Sequence, residues 1–141
     1  MPNWMTGVCE ANGINIHYLR TGGSKPPLIL LHGLTGSGAC WTLLARALEA
    51  DFDVGMPDAR GHGNSSTPLN GYRYGDYAND VVGLIQGLGL ATPVLLGHSM
   101  GGMTAAVVAS QSATCRATEA PGRPNSAGRA AAQASPGWRA P

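Results

Sequence analysis

"VLLGHSMGG", Val94 to Gly102, sets a serine between glycines directly after an apolar run and directly before a stretch rich in small residues. The run reads as a strand buried on both faces, and "MGGMTAAVVASQ", Met100 to Gln111, as a helix slim enough to lie close against a sheet. Gly97, Ser99 and Gly101 then form GxSxG in a strand, turn and helix frame, the setting of a nucleophile elbow. Such a turn strains the backbone of its central residue, lifts the serine oxygen clear of the sheet, and tolerates only small neighbours. The helix N-terminus would point at Ser99, making the amide of Met100 a candidate donor to a developing oxyanion.

Upstream of the serine, short apolar runs alternate with amphipathic stretches. "LILLHG", Leu28 to Gly33, is a second compact apolar run ending in glycine and reads as a central parallel strand. "GACWTLLARALEA", Gly38 to Ala50, places Trp41, Leu44, Ala45 and Leu48 at helical spacing, with Arg46 and Glu49 on the wet side. "FDVGMPD", Phe52 to Asp58, predicts another short buried strand. "YRYGDYANDVVGLIQGLGL", Tyr72 to Leu90, carries Tyr77, Val81, Leu84, Ile85 and Leu88 on one stripe before a stop at Gly89. Near the N-terminus, two partly alternating segments flank Asn12-Gly13, a two-residue hairpin signal. The predicted fold class is α/β: an N-terminal β-hairpin and three parallel strands with helices on both faces, joined by right-handed crossovers.

"LILLHGLTGSGACW", "DARGHGNSS" and "LLGHSMGG" at these spacings resemble the α/β-hydrolase fold family over about residues 6 to 111. The resemblance implies a partial fold of that family, a nucleophile at Ser99, and an oxyanion hole made by the backbone amides of Leu34 and Met100. Gly33 suits the first of these amides, because a glycine lets backbone approach a ligand closely. "DARGHGNS", Asp58 to Ser65, is then a structural loop in which acid and arginine tie down backbone, rather than a catalytic one. His32 and His98 become packing residues of the loop and the elbow. A residue just before the serine in a tight turn also points away from its side chain, so His98 is poorly placed as a base. His17 falls in the hairpin with no motif around it. Tyr72 and Tyr74 are candidates for a pocket mouth, while Tyr77 suits helix-face packing.

The order expected in that family is nucleophile, acid, histidine. All four histidines, His17, His32, His62 and His98, precede Ser99, and the sole acidic residue after it is Glu119. Base and acid are therefore not found, and a serine hydroxyl is a weak nucleophile without a positioned base. The resemblance implies a serine hydrolase of ester, thioester, amide or activated carbon–carbon bonds, taking a small acyl substrate, and inactive as this chain. Two other readings stand beside it. One is a non-catalytic fragment or binding module that keeps half of the fold; the other is an acyltransferase or a cofactor-free peroxidase-like or oxygenase-like member. Halide displacement is disfavoured, since it would carry aspartate at the elbow.

From Ser112 to Pro141 there is no Val, Ile, Leu, Met, Phe or Tyr. Too little apolar surface remains to offset ordering entropy, so residues 112–141 are expected to be a disordered tail behind one domain of residues 1–111. The change near Gln111 reads as a truncated or frameshifted product. It would leave the last strand with an unpaired edge that invites self-association.

A formal net charge of +1 gives no basic field for nucleic acid or an anionic membrane surface. The three cysteines, Cys9, Cys40 and Cys115, are widely spaced without a CxxC pattern, which suggests neither a disulfide framework nor a zinc site and suits a reducing cytoplasm. No leader pattern and no apolar stretch of roughly 20 residues is visible. Neither a phosphate-binding nor a dinucleotide glycine motif occurs, so no cofactor is expected.

Overall fold

In the computed structural model, which describes residues 3–111 and 116–117, the Asn12-Gly13 turn has φ of +52° and +75°. Both values are left-handed, as a type I′ hairpin turn requires. The turn joins β1 (Met5–Ala11) to β2 (Ile14–Arg20) in antiparallel register, with Met5 opposite Arg20. Beyond the hairpin lie β3 (Pro27–Leu31), β4 (Asp53–Pro57) and β5 (Val94–Gly97), which run parallel to one another, while β2 pairs with β4 antiparallel. The strand order is β1-β2-β4-β3-β5-β6, where β6 is the two-residue strand Arg116–Ala117.

The central strand shows why these segments fold as they do. Side chains alternate across a strand, and in β3 both sets are apolar. Ile29 and Leu31 pack against Ala78, Val81 and Ile85 of α2 (Tyr74–Gly87) and against Ala105 and Val108 of α3 (Met100–Gln111). Leu28 and Leu30 face the other way, with Val54 and Met56, onto Trp41, Leu44, Ala45 and Leu48. Leu30 is fully buried, and burying such a side chain contributes about 1.5–3 kcal/mol. Helices thus cover both faces, placing the C-terminal ends of β3 and β5 side by side. A third cluster, Cys9, Ile14 and Ile16 with Leu84, fixes the hairpin to α2.

Two expectations need adjustment at the helix starts and the sheet edge. The helix predicted from Gly38 begins as a 3-10 turn, Gly38–Trp41, and becomes α1 only over Thr42–Leu48. The bonds there run from residue i to i−3, Cys40 N–H to Ser37 O at 3.1 Å and Thr42 N–H to Ala39 O, while Asp58 satisfies the Gly38 N–H, at 2.7 Å, a donor with no acceptor inside the helix. The far edge of β5 is not wholly open, because β6 pairs with it in parallel, Val94 with Arg116 and Leu95 with Ala117. The prediction of an unpaired edge failed because strand pairing uses backbone groups and does not need the apolar side chains missing after Gln111. The rest of the tail expected to be disordered lies outside the described residues. No helix among the described residues is long and apolar enough to cross a membrane.

Candidate active site

β5 ends at Gly97 and α3 starts at Met100, leaving His98 and Ser99 to make the turn. Ser99 has φ +52°, a conformation that L side chains rarely adopt. The turn is held by three backbone bonds: His98 N–H to Leu31 O at 3.1 Å, Gly101 N–H to His98 O at 3.0 Å, and Met103 N–H to Ser99 O at 3.0 Å. Its tightness explains the glycines, since a Cβ at Gly97 would overlap the Gly101 backbone and one at Gly101 would overlap the Leu31 carbonyl. Ser99 is exposed, whereas Met100 is buried.

The loop after β3 lies against this turn. A Cβ on Gly33 would sit 2.9 Å from His98 Nδ1 and 3.4 Å from Ser99 Cβ, so the Leu34 loop and the serine are neighbours. The loop folds back through a Gly36 N–H to Gly33 O bond of 3.1 Å, with Thr35 at φ +66°. Neither the Leu34 N–H nor the Met100 N–H meets an acceptor among the described residues. Behind the turn is a small, mainly apolar cavity of about 30 Å³, lined by Leu31, Val81, Met100 and Thr104 but not by Ser99.

The loop at 58–66 is structural in detail. Asp58 accepts from Gly38 N–H, from Asn64 N–H at 2.9 Å and from His17 Nδ1 at 2.8 Å. Burial alone would raise its pKa, but the two amides and His17 outweigh that and leave the carboxyl below its ordinary range. Arg60 holds Asp80 through two bonds of 2.6 Å and the Gly71 carbonyl through a third of 2.6 Å. Asp80 raises the pKa of that guanidinium further, so it stays charged.

The structure brings Ser99, the Leu34 loop and the start of α3 together, and it assigns each histidine a partner or a place elsewhere. His17 is on Asp58; His32 lies between Gly33 O at 2.8 Å and the Ala59 N–H at 3.0 Å; His62 Nδ1 donates to Arg60 O at 2.9 Å. His98 is exposed on the turn. Ser99 Oγ has no hydrogen-bond partner among the described residues, and no acid or base reaches it there. Tyr77 is buried on α2 and lines the cavity behind the turn, while Tyr72 is exposed and donates its hydroxyl to Pro68 O at 2.6 Å. The His17 and Asp58 pair was missed in the sequence because its members are 41 residues apart and no local pattern links them. Among the described residues no group of three His, Cys, Asp or Glu side chains is placed to hold a metal ion.

A family model described as the alpha/beta hydrolase fold matches residues 26–123, running past the compositional break at Gln111. The chain is similar to the N-formylmaleamate deformylase of Pseudomonas putida, at 42% identity over 76% of this chain and 40% of that protein. It is similar to the 2-(acetamidomethylene)succinate hydrolase of Mesorhizobium japonicum, at 37% identity over 66% of this chain and 34% of that protein. A soluble epoxide hydrolase of a Corynebacterium species is 40% identical over 67% of this chain and 32% of its own length. A crystal structure of E-2-(acetamidomethylene)succinate hydrolase superposes with a TM-score of 0.75 and 30% identity, covering 79% of this chain and 41% of that one. The chain therefore spans two fifths or less of the length of these curated relatives. With the strained serine turn between β5 and α3, the glycine-bearing loop beside it and the matched sequence in agreement, this chain belongs to the α/β-hydrolase fold family.

Proposed function

We propose that this chain carries the nucleophile and oxyanion half of a serine hydrolase site for acyl compounds, with Ser99 attacking the acyl carbon and the amides of Leu34 and Met100 receiving the oxyanion. The observation that carries it is the strained φ of +52° at an exposed Ser99, held between β5 and α3. Strain of this kind persists only where surrounding structure enforces it, and it gathers at working sites. Two amides without acceptors close to the serine are the donors that a tetrahedral intermediate needs.

The nucleophile selects among the activities of the relatives. An alkoxide opening an epoxide leaves an ether, which water does not cleave, whereas acyl transfer to serine leaves an ester that can turn over. Ser99 therefore favours acyl chemistry over epoxide opening. The names of two relatives, a deformylase and a hydrolase of an acetamido compound, favour an acyl–nitrogen bond as the one cleaved. With no base at Ser99 among the described residues the hydroxyl attacks slowly, and oxyanion stabilisation and binding alone leave only about 10³–10⁴ over the reaction in water. Among the described residues Cys9 and Cys40 are free thiols, which suits a reducing compartment.

Incubation with a fluorophosphonate probe tests the reading. Labelling should map to Ser99, vanish in Ser99→Ala, and accelerate steadily with alkaline pH instead of levelling off near neutrality, as attack without a base requires. A chain that is only a binding module would show no Ser99 label at any pH.

A further inference from the structure

The loop from Gly33 to Ser37 carries the Leu34 amide, yet little inside it fixes its shape. It contains two glycines, a threonine at φ +66° and the single internal bond from Gly36 N–H to Gly33 O. A loop of that composition samples many conformations unless it is held from outside, and an oxyanion donor works only if it is already aimed when charge develops.

It is held from outside at both feet, by consecutive residues. At the first foot, His32 is 3% exposed, and its Nε2 faces the N–H of Ala59 at 3.0 Å while its Nδ1 faces Gly33 O at 2.8 Å. The partners dictate the tautomer: an N–H needs an acceptor and a carbonyl needs a donor, so Nδ1 carries the proton and Nε2 does not. At the second foot, the Gly38 N–H donates to Asp58 Oδ1 at 2.7 Å. Asp58 is itself fixed by Asn64 N–H and His17 Nδ1. The Asp58-Ala59 dipeptide thus spans the base of the loop.

We infer that His32 and Asp58 are positioning residues which clamp the two feet of the Gly33–Ser37 loop and thereby aim the Leu34 amide at Ser99. The inference rests on the reading of Leu34 as an oxyanion donor, although the clamp itself can be tested without it. His32 touches no substrate in this assignment. It acts through the Gly33 carbonyl and the Ala59 amide, and protonation of Nε2 would remove the acceptor that holds Ala59. The groups facing His32 are His62, whose ring lies edge-on at 5.2 Å, and Asp58; Arg60 and Asp80, paired to each other, line the same cavity.

The test compares His32→Gln with His32→Leu in the full chain, by backbone NMR order parameters and by labelling kinetics. Glutamine can place its amide oxygen where Nε2 accepts from Ala59; leucine fills space but accepts nothing. In His32→Leu the order parameters of Leu34 and Thr35 should fall below about 0.6 while those of α3 stay near 0.85. Ser99 labelling should slow by about tenfold in its maximal rate, with the probe's binding constant unchanged, and glutamine should restore both within about twofold. Unchanged order in a folded His32→Leu, or no rescue by glutamine, overturns the clamp. Should leucine prevent folding, the wild-type chain decides: Leu34 order must drop as the His32 ring nitrogens report protonation, and a loop that stays ordered through that titration overturns the clamp. An absence of Ser99 labelling in the wild type would instead overturn the proposed function, leaving the order parameters to judge the clamp.

Discussion

Arg60 and Asp80 face each other as a doubly hydrogen-bonded pair, Nε to Oδ2 and Nη2 to Oδ1 at 2.6 Å each, with both side chains 7% exposed. Asp80 Oδ1 also accepts from Asn12 Nδ2 at 2.9 Å, so one carboxylate joins the hairpin turn, the 58–66 loop and α2. Breaking such a pair from one side leaves a buried charge without a partner, which costs about 3–5 kcal/mol. Arg60→Met is therefore expected to lower unfolding free energy by about that amount in urea titration. Arg60→Met with Asp80→Leu should recover a large part of the loss, because apolar replacement of both members removes the stranded charge. A double variant no more stable than Arg60→Met would contradict this.

Adjacent glycines at the start of α3 should answer alanine in opposite ways. A Cβ on Gly101 overlaps the Leu31 carbonyl and lies 2.8 Å from the His32 carbonyl, both backbone atoms that cannot swing aside. A Cβ on Gly102 meets only the Gly97 carbonyl, its oxygen at 3.4 Å and its carbon at 3.7 Å, which is ordinary van der Waals contact. Gly101→Ala should cost about 1–3 kcal/mol or more and shift α3 outward. Gly102→Ala should be neutral or add up to about 1 kcal/mol through helix propensity. Thermal melts of the two variants side by side provide the comparison.

Acid should destabilise the chain in two separate ranges. Burial holds the pKa of His32 below its ordinary value, against the smaller opposing pull of its bond to Gly33. The unfolded chain then takes up the proton first, so stability falls as pH drops below about 6.5, the ordinary histidine value, by at most about 1.4 kcal/mol per pH unit. Asp58 is also depressed in the fold, so its contribution is complete above the ordinary aspartate range, near 3.9, and is lost as pH falls from there. Urea midpoints measured from pH 8 downward should decline in both ranges, and His32→Gln should abolish the upper decline alone.

What could be read from the sequence was whatever is encoded within one element or one turn. β3 announces itself because both of its faces are buried, so its five residues are an unbroken apolar run apart from Pro27. The hairpin is legible in Asn12-Gly13, and the elbow in the small residues that its strained serine requires. The bonds that hold the site together were not legible, because they join distant positions through common residue types. Nothing near His17 points to Asp58, and nothing near Gly38 shows that its amide is taken by that same carboxylate. β6 escaped notice for a related reason: two residues, Arg116 and Ala117, are too short a stretch to show an apolar pattern, and ladder pairing asks only for backbone groups.

The site itself stores strain that can be released. Among the described non-glycine residues with positive φ, Thr35 at +66° and Ser99 at +52° both belong to it. The left-handed conformation costs a non-glycine residue about 1–2 kcal/mol, and the cost is greater for a β-branched side chain such as threonine. Glycine meets no such penalty, though its freer unfolded chain returns part of the gain. Ser99→Gly should therefore raise unfolding free energy by up to about 1 kcal/mol while abolishing fluorophosphonate labelling, and Thr35→Gly should raise it comparably. Ser99→Gly also deletes the hydroxyl that the proposed reaction uses, so its stability alone reports the strain at that turn. Thr35→Gly leaves the hydroxyl in place, and if its strain shapes the loop that carries the proposed Leu34 donor, relief should slow labelling without ending it. A Ser99→Gly variant less stable than the wild type in urea would mean that the turn is not strained, and the elbow reading would lose its physical basis.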